Sequence, residues 1–179
     1  MSLAVKKRTR VRRPPPWLRP ASIVMVAFVA LLALHAWVFD IRPVQGQSME
    51  PTLHDGEWVL IFKPAFALRQ PRYGELAVCT TDATDSALIK RVVGLPGDVL
   101  SAERGRLYRN DEPVDEPYLI EDTPAFSAIK SWAGEYLVLG DHRLDSSDSR
   151  RHDIGAIPRE RLRGHAVLVV WPLSAWRLL

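Results

Sequence analysis

Hydrophobic residues in this chain follow two patterns, one before residue 40 and one after it. Residues Ala21 to Phe39 form a run of 19 residues without Asp, Glu, Lys or Arg. At ~1.5 Å per residue, a helix of that length is ~28 Å long, which matches the hydrocarbon thickness of a bilayer. The run therefore predicts one transmembrane helix over residues 21–39, with Trp17 and Trp37 near its two ends.

After residue 40, apolar residues occur in short runs that are separated by Gly, Pro and Asp. Such runs, rich in Val, Leu, Ile, Tyr and Trp, are typical of strands. The predicted strands are Trp58–Phe62, Leu76–Thr80, Ala87–Val93, Val99–Leu100, Arg106–Tyr108, Glu135–Leu139 and Ala166–Trp171. Asn110 and Asp111 predict a hairpin turn, and Pro158 predicts a short helix ending near Leu162. We predict a mainly β domain over residues 40–179.

Charge is distributed unevenly between these parts. Seven of the 24 Lys and Arg residues precede Ala21, and all 21 Asp and Glu residues follow Phe39. The seven are Lys6, Lys7, Arg8, Arg10, Arg12, Arg13 and Arg19. By the positive-inside rule, residues 1–20 form a cytoplasmic tail and residues 40–179 lie outside the cell membrane. The basic tract thus predicts a lipid bilayer as partner, and no nucleic acid.

A cleaved secretory signal is the competing interpretation of the first 40 residues. No Ala-x-Ala triplet occurs between Ala21 and Asp40, and the apolar run is long for a signal. We therefore favour a permanent single-pass anchor in the inner or plasma membrane.

Composition also limits the chemistry. The single cysteine, Cys79, excludes an intramolecular disulfide framework and a cysteine-based metal cluster, and we expect it to be half-buried in a strand. The chain has five histidines but no Gly-x-Ser-x-Gly motif, so the sequence does not indicate a serine-histidine triad. It also has no His-Glu-x-x-His motif that would indicate a zinc site.

Ser48 and Lys90 are the candidate catalytic pair. A serine nucleophile needs a base, and a lysine can serve if burial lowers its pKa from ~10.4 towards neutrality. Leu88, Ile89 and Val92 around Lys90 could supply that burial. Taken singly, however, Ser48 could be a turn hydroxyl and Lys90 a solvent-facing lysine on an edge strand.

Three sequence blocks in combination favour the catalytic interpretation. They are Ser48-Met49-x-Pro51-Thr52-Leu53, Lys90-Arg91-Val92-Val93-Gly94-x-Pro96-Gly97-Asp98, and Gly140-Asp141-x-Arg143-x-x-Ser146-x-Asp148-Ser149-Arg150. Their content and order resemble the type I signal peptidases, the membrane-bound serine-lysine leader peptidases. The resemblance implies a signal-peptidase-like β domain of coiled antiparallel sheets, with the accessory region reduced to about residues 101–132.

The same resemblance implies a role for each matched residue. Ser48 would be the nucleophile, with its backbone N–H at the oxyanion, and Lys90 would be the general base. Ser146 would orient the lysine nitrogen, and Asp148 and Arg150 would form a structural ion pair. Asp141 and Arg143 belong to the same supporting block. Members of the family use no metal or organic cofactor.

The chain departs from the family pattern at two places. Gly46 occupies a position where some branches carry a serine that donates to the oxyanion, and glycine supplies no side-chain donor there. His142 and Leu144 stand where Asn and Asp are common, and we assign His142 no catalytic role.

An extended peptide could pair with strand edges beside the serine, with alternate side chains entering small pockets. The pocket candidates are Val44, Gln45, Leu88 and Ile89. The expected partners are preproteins whose signal peptides end in Ala-x-Ala.

The predicted function is therefore removal of signal peptides from exported preproteins through an acyl-enzyme. Three alternatives are weighed against this prediction, and the second conflicts with the predicted anchor. The first is a relative dedicated to one substrate, such as a conjugative-transfer or pilin-maturing peptidase. The second, a self-cleaving SOS-repressor-type peptidase, would carry a DNA-binding segment and lack an anchor. The third is a membrane-tethered β domain that binds peptides without cutting them.

Overall fold

The computed structural model describes residues 18–83 and 86–179, with only the backbone described for Leu18 and Arg19. Most of the predicted basic tail therefore lies outside the described residues. Among the described residues, 18–36 belong to one compact unit and 37–179 to a second.

The N-terminal element is helix α1, Leu18–Val38. It ends one residue before the predicted boundary, because Phe39 already begins a strand. Within the described part of the chain, one segment is long and apolar enough to cross a membrane, Pro20–Val38, with a mean hydropathy of 2.3. This finding rests on length and composition alone.

The second unit is built mainly from antiparallel strands, which confirms the predicted fold class. In chain order, the strands are β1 Phe39–Pro43, β2 Trp58–Phe62, β3 Leu76–Cys79, β4 Leu88–Gly94, β5 Val99–Glu103, β6 Arg106–Arg109, β7 Glu112–Pro113, β8 Phe126–Lys130, β9 Glu135–Leu139, β10 Ile157–Pro158, β11 Leu162–Trp171 and β12 Arg177–Leu178. A four-residue helix α2, Ala65–Leu68, follows β2.

The strands form two sheets. The larger has the order β1-β2-β11-β3-β4-β9-β10, with β12 paired to β11, and the smaller has the order β7-β6-β5-β8. The smaller sheet spans Val99–Lys130, close to the segment predicted as an accessory region. Strand β11 bends at register shifts opposite both β2 and β3, and such bulges increase the curl of a sheet.

Buried side chains fill three clusters. One contains Met49 and Leu53 of the β1–β2 connection together with Val59 of β2. A second packs around β3 and β9. The third joins the two sheets, because Val93 of β4 packs with Leu100 of β5. The two sheets therefore share one buried cluster.

Local predictions had mixed outcomes. The hairpin at Asn110 and Asp111 is confirmed, since both residues have positive φ and Arg109 pairs with Glu112 across the turn. The helix predicted from Pro158 is only a 3₁₀ turn over Arg159–Arg161, because the chain enters β11 at Leu162. Cys79 is fully buried rather than half-buried, and burial raises the pKa of its thiol to about 12.

Candidate active site

Ser48 lies in the connection between β1 and β2. Backbone hydrogen bonds between Val44 and Glu57 (2.7 Å) and between Gly56 and Val44 (3.0 Å) close the base of this connection. Met49 and Leu53, both buried, anchor it to the core. The turn therefore presents Ser48 from a fixed base.

Gly46 has a backbone reason to be glycine. Its φ is +81°, a conformation that is strained for residues with a side chain, and its N–H donates to the Asp55 carboxylate at 2.7 Å. A serine at this position would thus be strained in the present turn.

Lys90 lies on β4 opposite Ala77 of β3, and only 2% of its surface is exposed. Its Nζ donates to Ser48 Oγ at 2.5 Å. Burial lowers the pKa of Lys90, while the carboxylate of Asp148 acts in the opposite direction. The alternative of a solvent-facing lysine is wrong, because the amine is enclosed and in contact with Ser48.

The Gly140–Arg150 loop follows β9 and packs against the Ser48 turn. The N–H of His142 donates to the Ser48 carbonyl at 3.2 Å. A Cβ on Gly140 would collide with the Ser48 carbonyl and with the Ser146 side chain. Only glycine therefore permits this close approach of the loop to Ser48.

Asp148 and Arg150 form a partly buried ion pair in this loop. Two guanidinium nitrogens of Arg150 donate to the Asp148 carboxylate at 2.8 Å, and Gly140 N–H donates to it at 3.0 Å. Burial alone would raise the pKa of Asp148, but the hydrogen bonds and charge of Arg150 outweigh it and hold that pKa below its ordinary value. The carboxylate is therefore ionised and holds the loop.

The Ser146 hydroxyl is buried beside Asp148. It is near enough to contribute to the lowered pKa of Asp148, yet its Oγ meets the geometry of a hydrogen bond with no group in the described part of the chain. A bond from Ser146 to Lys90 is therefore not formed in this conformation. The orienting role of Ser146 stays a prediction.

Asp141 and Arg143 each hold a different partner. Asp141 accepts from Arg91 at 2.6 and 2.8 Å and from the Thr52 hydroxyl at 2.5 Å. Arg143, only 1% exposed, donates to both carboxylate oxygens of Glu116 at 2.9 and 2.6 Å. Sequence reasoning missed Glu116, which carries no recognisable motif.

The four predicted pocket residues lie beside the serine and lysine. They line one small cavity of about 80 Å³ that also contains Ser48 and Lys90 in its wall. The four are Val44, Gln45, Leu88 and Ile89, and the remaining lining residues are Pro43, Met49 and Ala87. A larger cleft of about 500 Å³ shares Gln45 and Ile89 and extends between β1 and the start of β4. Val44 itself is 6% exposed and also belongs to the core.

Arg177, near the C-terminus, supports the Ser48 turn and was also missed. It donates to both carboxylate oxygens of Glu57 at 2.8 and 2.7 Å and to the Thr52 carbonyl at 2.6 Å. Burial acts to raise the pKa of Glu57, but Arg177 and the His54 N–H outweigh it and hold that pKa below its ordinary value. A charged bridge thus ties β12 to the turn.

We expect Arg177→Met to lower the free energy of unfolding by about 2 kcal/mol, because it leaves the Glu57 carboxylate buried without its cation. For a chain of this size, that corresponds to about 6 °C in Tm. Thermal melts of the full-length protein in detergent measure it. Arg151→Met, which breaks the exposed pair with Asp153, is the matched control and should melt like wild type. Equal melting of both variants would contradict a structural role for Arg177.

The chain is similar to known signal peptidases over most of its length. Residues 17–171 match the model of a family described as signal peptidase, peptidase S26. A probable signal peptidase I-2 from Synechocystis sp. is 36% identical over 98% of this chain and 84% of its own length. A signal peptidase I from Bacillus licheniformis is 33% identical over 86% of this chain and 88% of its own length.

A crystal structure of a signal peptidase I from Enterococcus faecalis V583 covers 54% of this chain and 97% of its own, at 25% identity and a TM-score of 0.49. The sequence matches show that the protein is a peptidase. The chain belongs to the signal peptidase family, peptidase S26, which confirms the family predicted from the three blocks.

Proposed function

We propose that this chain is a membrane-bound serine endopeptidase that removes N-terminal signal peptides from exported preproteins by a Ser48–Lys90 dyad. The observation that carries the proposal is the 2.5 Å contact between Ser48 Oγ and the buried Lys90 Nζ. A buried lysine with a lowered pKa loses its proton more readily, and neutral lysine can accept the proton of the serine hydroxyl.

The proposed reaction has two stages. Ser48 Oγ attacks the scissile carbonyl carbon while its proton passes to Lys90 Nζ, and the Ser48 N–H helps to stabilise the oxyanion. The C–N bond then breaks as Lys90 returns the proton to the leaving amine, which leaves an acyl-enzyme on Ser48. In the second stage, water attacks the ester after giving a proton to Lys90, and Ser48 leaves with that proton.

The strand arrangement supports binding of an extended peptide. Strand β1 is at the edge of its sheet, and β4 pairs with β9 only from Arg91 onward. The cleft between β1 and Ile89 is therefore bordered by strand segments that can accept another strand. The cavity of about 80 Å³ beside Ser48 favours a small side chain such as alanine next to the cut.

The proposed location follows from the N-terminal part of the chain. Segment Pro20–Val38 would anchor the protein in the inner or plasma membrane. The basic residues before Ala21 would keep the N-terminus in the cytoplasm, so that the catalytic domain faces outward. Signal peptides and the bilayer would then be its partners.

The test is cleavage of model preproteins by full-length protein in detergent. We expect cleavage after Ala-x-Ala in several unrelated preproteins, and none by Ser48→Ala. Replacing the alanine before the cut with Trp should lower kcat/KM about 100-fold, since overpacking a small pocket costs about 1–3 kcal/mol. The same replacement at the middle position should have little effect, because alternate side chains point away from the cleft.

Cleavage of only one preprotein in the panel would favour a dedicated peptidase. Binding without cleavage of any preprotein would favour the non-catalytic alternative.

A further inference from the structure

The connection from β7 to β8, residues 114–125, reaches from the smaller sheet to the Gly140–Arg150 loop. Its Glu116 pairs with Arg143 of the loop, and the two side chains are 6% and 0% exposed. Removing two charges from water is costly, so a buried pair of this kind requires accurate geometry on both sides. The connection is therefore held firmly against the loop.

Arg143 passes this contact on to the backbone beside Ser48. Its Nε donates to the Gly140 carbonyl at 2.9 Å, and its Nη1 donates to Thr123 of the connection at 2.8 Å. Gly140 is the residue whose missing side chain lets the loop approach the Ser48 carbonyl. Glu116 thus holds the cation that fixes the loop at Gly140.

Tyr118 makes a second contact, on the side of the lysine strand. Its ring lies 3.8 Å from the guanidinium carbon of Arg91, the residue directly after Lys90. Arg91 in turn donates to Asp141 and to the Thr52 hydroxyl, 2.6 and 3.1 Å away. The ring therefore covers one face of the guanidinium that joins β4, the Ser48 turn and the loop.

The Tyr118 hydroxyl connects the two ion pairs by donating to Glu116. Burial raises the pKa of Tyr118, and the charge of Glu116 raises it further, so the phenol stays protonated and can donate. One side chain thereby touches both the Glu116–Arg143 pair and the Arg91–Asp141 pair.

We propose that Tyr118 is a positioning residue by which the smaller sheet holds the Ser48 turn and the Gly140–Arg150 loop in place against the strand that carries Lys90. Its catalytic consequence rests on the proposed Ser48–Lys90 chemistry. Small displacements of reacting groups cost large factors in rate, up to about 100-fold for 1 Å. A side chain that holds three segments around the Ser48–Lys90 contact can therefore determine kcat.

Three variants separate the parts of the contact. Tyr118→Leu removes both the ring and the hydroxyl. Tyr118→Phe keeps the ring over Arg91 and loses only the bond to Glu116. Tyr108→Leu is the matched control, because Tyr108 is a half-buried tyrosine of the smaller sheet whose backbone pairs with Ser101 and Pro113 rather than with the Gly140–Arg150 loop.

Cleavage of a model preprotein by the full-length variants is the first measurement. We expect Tyr118→Leu to lower kcat about 30-fold with KM changed less than about threefold, since the peptide cleft is not touched. Tyr118→Phe should retain kcat to within about threefold, as the cation–π contact remains. Tyr108→Leu should match wild type.

Hydrogen exchange is the second measurement and does not depend on activity. The His142 N–H, which bonds to the Ser48 carbonyl, should exchange about tenfold faster in Tyr118→Leu and at the wild-type rate in Tyr108→Leu. If Ser48→Ala still cleaves, the proposed dyad is wrong. The exchange rates then test the positioning role of Tyr118 on their own. If Tyr118→Leu keeps wild-type kcat per folded molecule, or exchanges at His142 like wild type, the positioning role is wrong.

Discussion

We expect Ser48→Ala and Lys90→Met each to lower kcat/KM at least about 10³-fold, and the double variant to lose little more. Ser48 supplies the attacking oxygen, and Lys90 supplies the acceptor for its proton across 2.5 Å. Because neither group works without the other, the second substitution causes little further loss of activity. Single-turnover cleavage of a model preprotein measures all four proteins on one scale.

Strand β8 offers matched controls for this experiment. Ser127 and Lys130 are exposed residues of β8, so Ser127→Ala and Lys130→Met make the same two chemical changes away from the site. Both should cleave like wild type, with melts that show every protein to be folded. Losses that multiply in the double variant would mean that the two residues act independently. Activity within about tenfold of wild type in either single variant would contradict the dyad.

The parts of the fold that could be predicted from sequence are those with dense apolar runs. Strands β2 and β9 occur at their predicted bounds. Buried apolar residues occupy every second position of β2 and the last four positions of β9. Strands β1 and β8 were missed because three of the five residues in each are exposed, so neither forms a run of buried apolar side chains. Their pairing comes from the neighbouring strand rather than from a pattern of their own.

The candidate site divides in a similar way. Ser48 and Lys90 were predicted from local motifs, and the structure brings them into contact although 42 positions separate them. The supports of the site, Glu116 for Arg143 and Arg177 for Glu57, were not predictable. Each is one charged residue in an unremarkable segment, and its partner lies 27 or 120 positions away. Only the path of the chain through the two sheets brings such pairs together.

The second large expected effect is the dependence of kcat/KM on pH through the protonation of Lys90. The amine is surrounded by Cys79, Asp141, Asp148 and Arg150, and burial is the strongest influence, so its pKa lies below the ordinary lysine value of 10.5. Only the neutral amine accepts a proton from Ser48. We therefore expect kcat/KM to rise about tenfold per pH unit and to level off at an apparent pKa below 10.5.

The same lowered pKa links pH to folding. Between the pKa of Lys90 in the folded protein and its value of 10.5 when unfolded, the unfolded chain binds more protons. The contribution of Lys90 to the free energy of unfolding is therefore complete above 10.5. It declines by up to about 1.4 kcal/mol per pH unit as the pH falls towards the folded value. Lys90→Met removes this dependence, so the stability difference between wild type and Lys90→Met should change with pH across that window.

Denaturation of wild type and Lys90→Met at a series of pH values isolates this contribution, since all other titrating groups are common to both proteins. Lys130→Met serves as the control for the same lysine-to-methionine change at an exposed position away from Ser48. A rate profile that levels off at or above 10.5, together with a constant stability difference for Lys90→Met, would mean that Lys90 is charged in the folded protein. In that state it could not accept the proton of Ser48, and the base would have to be sought elsewhere.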